Sequence, residues 1–174
     1  MTQLLDDVLL VNQVEAGKLD FKPAPLNLLQ FCRDLAEEMQ LIAEAKHTIN
    51  FISQAECTNA CFDEKLLRHI LTNLLSNALK YSPIGSTVHF NLICDQQVAI
   101  FCIKDNGIGI PIADQAQLFQ SFYRASNVGT TSGTGLGLTI VKQSVDLHGG
   151  EITFTSEVGV GTTFTVTIPL YYCV

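Results

Sequence analysis

Basic residues are scarce in this sequence. Lys and Arg together number 10 of 174 residues against 17 Asp and Glu, a net charge of −7. Polyanion binders neutralise phosphates with a basic face, so DNA and RNA are excluded as main partners. Long apolar runs are missing too. None reaches the roughly 18 residues of a membrane span, so no direct membrane contact is expected. The opening stretch MTQLLDDVLL carries acids where a signal peptide needs bases, and a cytoplasmic setting is expected. No CxxC pair occurs. Cys57 and Cys61 are four apart with no His close by to complete a zinc site. All six cysteines (Cys32, Cys57, Cys61, Cys94, Cys102 and Cys173) are read as reduced packing residues in a chain too large to need disulfide staples. A Walker loop is absent, and no GxGxxG follows a strand.

What is present is a core. Hydrophobic residues make up 47% and charged residues only 16%, which excludes disorder and suits one domain with a short appendage. Residues 2–16 place Leu4, Leu5, Val8, Leu9, Val11 and Val14 at helical spacing, a stripe too short to be stable alone. It reads as the end of a longer helix. Residues 18–25 form an extended linker, since Pro23 and Pro25 disfavour helix. Asn27 is placed to cap a helix to about Lys46 and Asp63 to cap another through about Tyr81. Strands are expected at 48–53 and 58–62, and as a hairpin at 87–94 and 98–104. A Gly, Ser, Thr and Asn-rich segment runs from 105 to 134, with a brief helical pattern at 114–123. A glycine-opened helix at 136–147 and strands at 151–156 and 162–170 complete the chain. The reading is an α/β two-layer sandwich: one mixed, about five-stranded sheet with three helices on one face.

Three segments have the composition of a binding site. In HILTNLLSNALKYS, Asn73 and Asn77 are four apart and share a helix face, which His69, Lys80 and Tyr81 extend. Two amides and an ammonium can hold phosphate and the oxygen-loving cation Mg²⁺. DNGIGIP, starting at Asp105, follows a strand directly. Its carboxylate could accept from a base amino group, while Gly107 and Gly109 allow close backbone approach. SGTGLGL opens a helix with Gly133, Gly135 and Gly137. Backbone N–H groups at such a start form an anion site without basic side chains.

Taken in this order, the segments resemble the catalytic ATP-binding domain of sensor histidine kinases, in the superfamily of gyrase, Hsp90 and MutL ATPases. NLLSNALKYS resembles the asparagine box, DNGIGIP the first glycine box and LFQSFYR the phenylalanine box. GTGLGLTIVKQSVDLHGG resembles the second glycine box with its helix, and VGTTFTVTIPL the closing strand. The resemblance implies the Bergerat-type fold. It divides the chain into the end of a dimerisation helix (1–17), a linker (18–26) and an ATP-binding domain (27–174).

It also implies roles. Asn77 would be the Mg²⁺ ligand, with Asn73, Lys80 and Tyr81 on phosphates or sugar. Asp105 would accept from the adenine amino group, and Thr162 would help hold the base. Gly107 and Gly109 would let the backbone approach the base. Gly135, Leu136, Gly137 and Leu138 would present N–H groups to the phosphates, and Ile110, Phe119, Gly133 and Thr134 complete the ATP-binding set. Residues 111–134 would be a mobile lid, packed on the core by Phe119 and Phe122. Arg124 and Lys80 would be the catalytic cations at the γ-phosphate.

The superfamily's hydrolases carry a Glu four residues before the metal Asn. Here that position is Asn73, and an amide cannot be a general base. This favours phosphoryl donation over hydrolysis. None of His47, His69, His89 and His148 has the neighbours of the family's acceptor motif, so the acceptor is expected upstream in a longer sensor. The implied partners are a dimerisation and phosphoacceptor domain of the same protein and a response-regulator receiver domain. The alternative is an anti-sigma-type protein kinase or a non-catalytic nucleotide-binding module of the same fold.

Overall fold

A computed structural model describes residues 2–54, 60–95 and 97–171. The elements in order are α1 (Thr2–Glu15), β1 (Ala24–Leu26), α2 (Leu28–Ala43), β2 (Thr48–Gln54), β3 (Ala60–Phe62), α3 (Glu64–Tyr81), β4 (Thr87–Cys94), β5 (Val98–Lys104), α4 (Ile112–Gln115), α5 (Gly137–Leu147), β6 (Glu151–Glu157) and β7 (Gly161–Pro169). The main sheet has five strands in the order β2-β4-β5-β7-β6. Only β2 and β4 pair in parallel, so the sheet is mixed as expected.

The capping residues act as their chemistry dictates. Asn27 Oδ1 accepts from the Gln30 amide at 3.1 Å, and Asp63 Oδ1 from the Leu66 amide at 3.1 Å, each satisfying an orphan donor of the first turn. Strand alternation puts Val88, Phe90, Leu92, Ala99, Phe101, Ile103, Val166 and Ile168 inward, each at most 1% exposed. They meet the apolar faces of α2, α3 and α5 in one cluster with Leu35, Ile70, Leu71, Leu74, Leu75 and Val141. This is the two-layer packing of a sheet covered on one face.

Two expectations are corrected. The stretch read as a plain linker contains β1, which pairs antiparallel with β3, Ala24 opposite Phe62 and Leu26 opposite Ala60. A strand at the edge of so small a sheet tolerates Pro25. The Lys22 amide also donates to Asp63 Oδ2 at 3.0 Å, and Phe21 meets His148 edge-on at 4.8 Å, so this segment is docked. Cys61 and Cys94 each take part in a disulfide, whereas Cys32 and Cys102 are free. Bonding depends on Cα approach that residue spacing does not reveal. Cys57 and Cys173, and residues 58 and 59 of the strand expected at 58–62, lie outside the described residues.

α1 docks on α5 through a second small cluster of Leu10, Val11, Leu66, Leu136 and Ile140. Its other face leaves Leu4, Leu5 and Leu9 exposed. Among the described residues no helix is long and apolar enough to cross a membrane.

Candidate nucleotide site

A cavity of about 700 Å³ opens between α3, the loop after β5, the 111–134 segment and the start of α5. That is within the usual size range of small-molecule sites. Of the residues singled out from sequence, Asn73, Asn77, Lys80, Tyr81, Asp105, Gly109, Ile110, Arg124, Gly133, Thr134, Gly135, Gly137, Leu138 and Thr162 line it. Gly107, Phe119 and Leu136 do not.

Asp105 stands where β5 ends and is 8% exposed. Its Oδ1 accepts from the Gly107 amide at 2.8 Å and the Thr162 amide at 3.2 Å. Oδ2 receives no hydrogen bond from the described residues. Burial pushes this carboxyl above its ordinary pKa, and the two amides oppose that shift. The loop it heads is pressed against the β6–β7 hairpin. Gly109 has φ +71°, and a Cβ there would lie 2.1 Å from the Glu157 carbonyl oxygen, so no other residue fits. Gly107 thus serves the site from behind, by donating to Asp105.

Lys80, in the last turn of α3, and Arg124 both line the cavity. Neither forms an ion pair among the described residues. Partial burial, and then the neighbouring Arg124 guanidinium, push the Lys80 ammonium below its ordinary pKa. Lys80 Nζ also lies 5.6 Å from the Tyr81 ring centre. The Arg124 guanidinium donates to the Thr131 carbonyl.

The two asparagines differ. Asn73 Nδ2 donates to the His69 carbonyl at 2.7 Å, and its Oδ1 abuts the first residue of α5, where a Cβ on Gly137 would come within 2.9 Å. Asn73 therefore helps seat α5 against α3. Asn77 has no hydrogen-bond partner among the described residues, which leaves its amide oxygen available to a cation. No group of three His, Cys, Asp or Glu there could hold a metal. A Mg²⁺ on Asn77 would take its other oxygens from phosphate and water, as that ion commonly does. The residues fit the pair of Mg²⁺ and a nucleotide.

α5 starts without a side-chain cap, so its first amides are orphan donors. The Leu136 amide is taken by Thr134 Oγ1 at 3.2 Å, and the Leu136 side chain is buried under α1. Phe119 anchors the lid segment, its ring 6.0 Å from Phe154 and its carbonyl accepting from Thr139 Oγ1 at 3.1 Å. Phe122 does not pack on the core: it has φ +65° and is 65% exposed. Its amide instead donates to the Gly135 carbonyl at 2.9 Å. Here backbone pairing decided where the ring points.

Sequence reasoning missed Ile108, Tyr123, Asn127 and Phe164 on the cavity wall. It also missed Ser156, behind Thr162. A signal for Ser156 existed, since alternation puts 152, 154 and 156 on the inner side of β6. The other histidines are structural: His47 Nε2 contacts the Ser82 carbonyl at 3.2 Å and His89 Nδ1 contacts Asn50 Nδ2 at 3.5 Å. His148 links Ser144 and Asp63. His69 lines the cavity beside α1, and burial, then Lys65, push its pKa down.

A cavity of this size that gathers a buried carboxylate, Lys80, Arg124 and the uncapped start of a helix has the chemistry of a nucleotide-binding class. The chain belongs to the histidine kinase-, DNA gyrase B- and HSP90-like ATPase family, whose family model matches residues 62–172. Its relatives make it a catalytic ATP-binding domain of the sensor histidine kinase type. It is 40% identical over 175 residues to the circadian input-output histidine kinase CikA of Synechococcus elongatus, covering 97% of this chain and 23% of that protein. It is 33% identical over 175 residues to the sensor histidine kinase WalK of Bacillus subtilis, covering 97% and 28%. The chain thus spans about a quarter of the length of these relatives. Full-length ShkA, solved in complex with AMPPNP, superposes with a TM-score of 0.85 at 28% identity, over 98% of this chain and 36% of that one.

Proposed function

We propose that this chain binds ATP with Mg²⁺ and donates the γ-phosphoryl group to a His on a dimerisation domain, for relay to a receiver-domain Asp. The observation that carries this is the lining of one cavity: a carboxylate oxygen of Asp105 with no partner among the described residues, together with Lys80 and Arg124, neither in an ion pair among those residues. Asp105 Oδ2 accepts from the adenine amino group. Lys80, Arg124 and the first amides of α5 hold the phosphates in position. Asn77 would hold Mg²⁺, which would supply charge neutralisation at the phosphates. An acceptor imidazole nitrogen forms the new N–P bond as the bond to the bridging oxygen of ADP breaks, and ADP leaves with the electron pair. Positioning and charge stabilisation dominate such transfers. No carboxylate stands at Asn73 to activate water, which favours transfer over hydrolysis. The need for ATP puts this domain on the cytoplasmic side.

Isothermal calorimetry with ATP and Mg²⁺ tests the binding. In Asp105→Asn the amide oxygen must serve the Gly107 and Thr162 amides, so a donor NH₂ then faces the base amino group. Binding should weaken roughly tenfold or more, as for loss of a charged hydrogen bond. Labelled γ-phosphate should appear on the His of an added CikA- or WalK-type dimerisation domain, and not on this chain alone. Unchanged binding in Asp105→Asn, or label only as free phosphate, overturns the reading.

A further inference from the structure

Ser156 makes three contacts at the edge of the cavity without lining it. Its Oγ accepts from the Ile110 amide at 2.8 Å, lies 2.7 Å from Thr162 Oγ1, and donates to the Gly161 carbonyl at 3.3 Å. Ser156 and Thr162 stand directly opposite each other on β6 and β7. A serine hydroxyl has one proton and two lone pairs. A carbonyl cannot donate, so the serine proton goes to Gly161. The Ile110 amide occupies one lone pair. All three contacts are filled together only if Thr162 donates its proton to the other.

That arrangement fixes the polarity of Thr162. With its proton committed to Ser156, Oγ1 can present only lone pairs to the cavity. Beside it stands Asp105, tied to the Thr162 amide at 3.2 Å and acceptor-only when ionised. The base end of the site then offers two adjacent acceptors and no competing donor. A ring amino group, or a water donating to both, satisfies them. A ring carbonyl oxygen in the same place would face two acceptors and leave all of them unpaired, a penalty that discriminates more strongly than a lost contact.

We propose that Ser156 is a positioning residue that sets nucleobase specificity by holding the Thr162 hydroxyl as an acceptor, and so favours a 6-amino over a 6-oxo purine. This rests on the reading of the cavity as an ATP site and adds to it a residue that touches no nucleotide.

The test is calorimetry with Mg²⁺ and three probes: ATP, inosine triphosphate and inorganic tripolyphosphate. Ser156→Ala frees the Thr162 hydroxyl to rotate and donate. ATP affinity should fall several-fold, roughly the loss expected for one neutral hydrogen bond, and the ATP-to-inosine-triphosphate preference should narrow. Tripolyphosphate affinity should not change. Ser156→Thr keeps a hydroxyl and should keep the preference. Thr162→Val should narrow it as Ser156→Ala does, and the double variant should show no further change, because both remove one device. Parallel losses for all three probes, an unchanged preference in Ser156→Ala, or independent effects of the two substitutions overturn this inference alone. A wild-type chain that binds no ATP overturns the site reading and this inference with it.

Discussion

At Asp105 one carboxylate oxygen holds two backbone amides and the other has no partner among the described residues. Its place after a strand and before two glycines marked it as a base acceptor. Only the fold shows that Oδ1 is spent on backbone amides and that burial outweighs them in setting its proton affinity. On the proposed reading, adenine recognition needs the charged form of Asp105, and a raised pKa means protonation begins above the ordinary carboxylate value of about 3.9. ATP affinity should therefore decline on acidification earlier than an ordinary carboxylate would dictate. The ratio of ATP to tripolyphosphate affinity isolates the base end, and Asp105→Asn should flatten that ratio against pH. His148 has the opposite sign. It is 3% exposed, its Nδ1–H donates to the Ser144 carbonyl at 2.8 Å and its Nε2 accepts from the Asp63 amide at 3.2 Å. Burial, partly opposed by Ser144 and Asp63, depresses its pKa. The unfolded chain then binds more protons, so stability is full above the unfolded value of about 6.5 and falls as pH drops through the window below it. Urea unfolding between pH 7.5 and 5.5 should show that loss, and His148→Gln should reduce its slope.

At the scale of elements, the long helices and sheet strands were legible because their apolar periods are clean and their caps are Asn27 and Asp63. β1 was not, because two prolines and a short exposed stretch carry no strand signal; pairing with β3 made it. The lid was legible as a loop but its internal order was not. Asp114, 7% exposed, accepts from the Tyr123 hydroxyl and from the amide and hydroxyl of Ser126 at 2.9 and 2.7 Å. These bonds, the Tyr123 hydroxyl first, hold its carboxyl below the usual range. They also clasp both sides of Arg124, and Asn127 ties the same turn to the Gly109 carbonyl at 2.9 Å. With Asp114→Asn, hydrogen exchange should quicken across 116–134 while the amides of β4, β5 and β7 keep their rates. A lid whose exchange is unchanged would show that the clasp does not hold it.

For the whole molecule, net charge proved a weak guide. At −7 the chain has little general attraction for phosphate, yet Lys80 and Arg124 line one cavity, neither in an ion pair among the described residues. On the proposed reading, the local cations, the open helix amides and a metal brought by the ligand would count for more than the net charge of the whole chain. The docking of α1 is likewise a whole-chain property. Leu10 is 7% exposed and packs with Leu136, which sits between two cavity glycines. Leu10→Ala should cost about 2 kcal/mol in denaturant unfolding, whereas Leu5→Ala, at a residue 61% exposed, should stay within about 0.5 kcal/mol. The sequence by itself determined the sandwich, its helix caps and the three segments that meet at the cavity, because periodicity, capping and glycine placement act locally. Tertiary structure alone decided that Asn73 seats α5 while Asn77 stays free, that Phe122 faces solvent, and that Ser156 orients Thr162. Those outcomes depend on which donor finds which acceptor across segments far apart in the chain, and no local pattern carries that information.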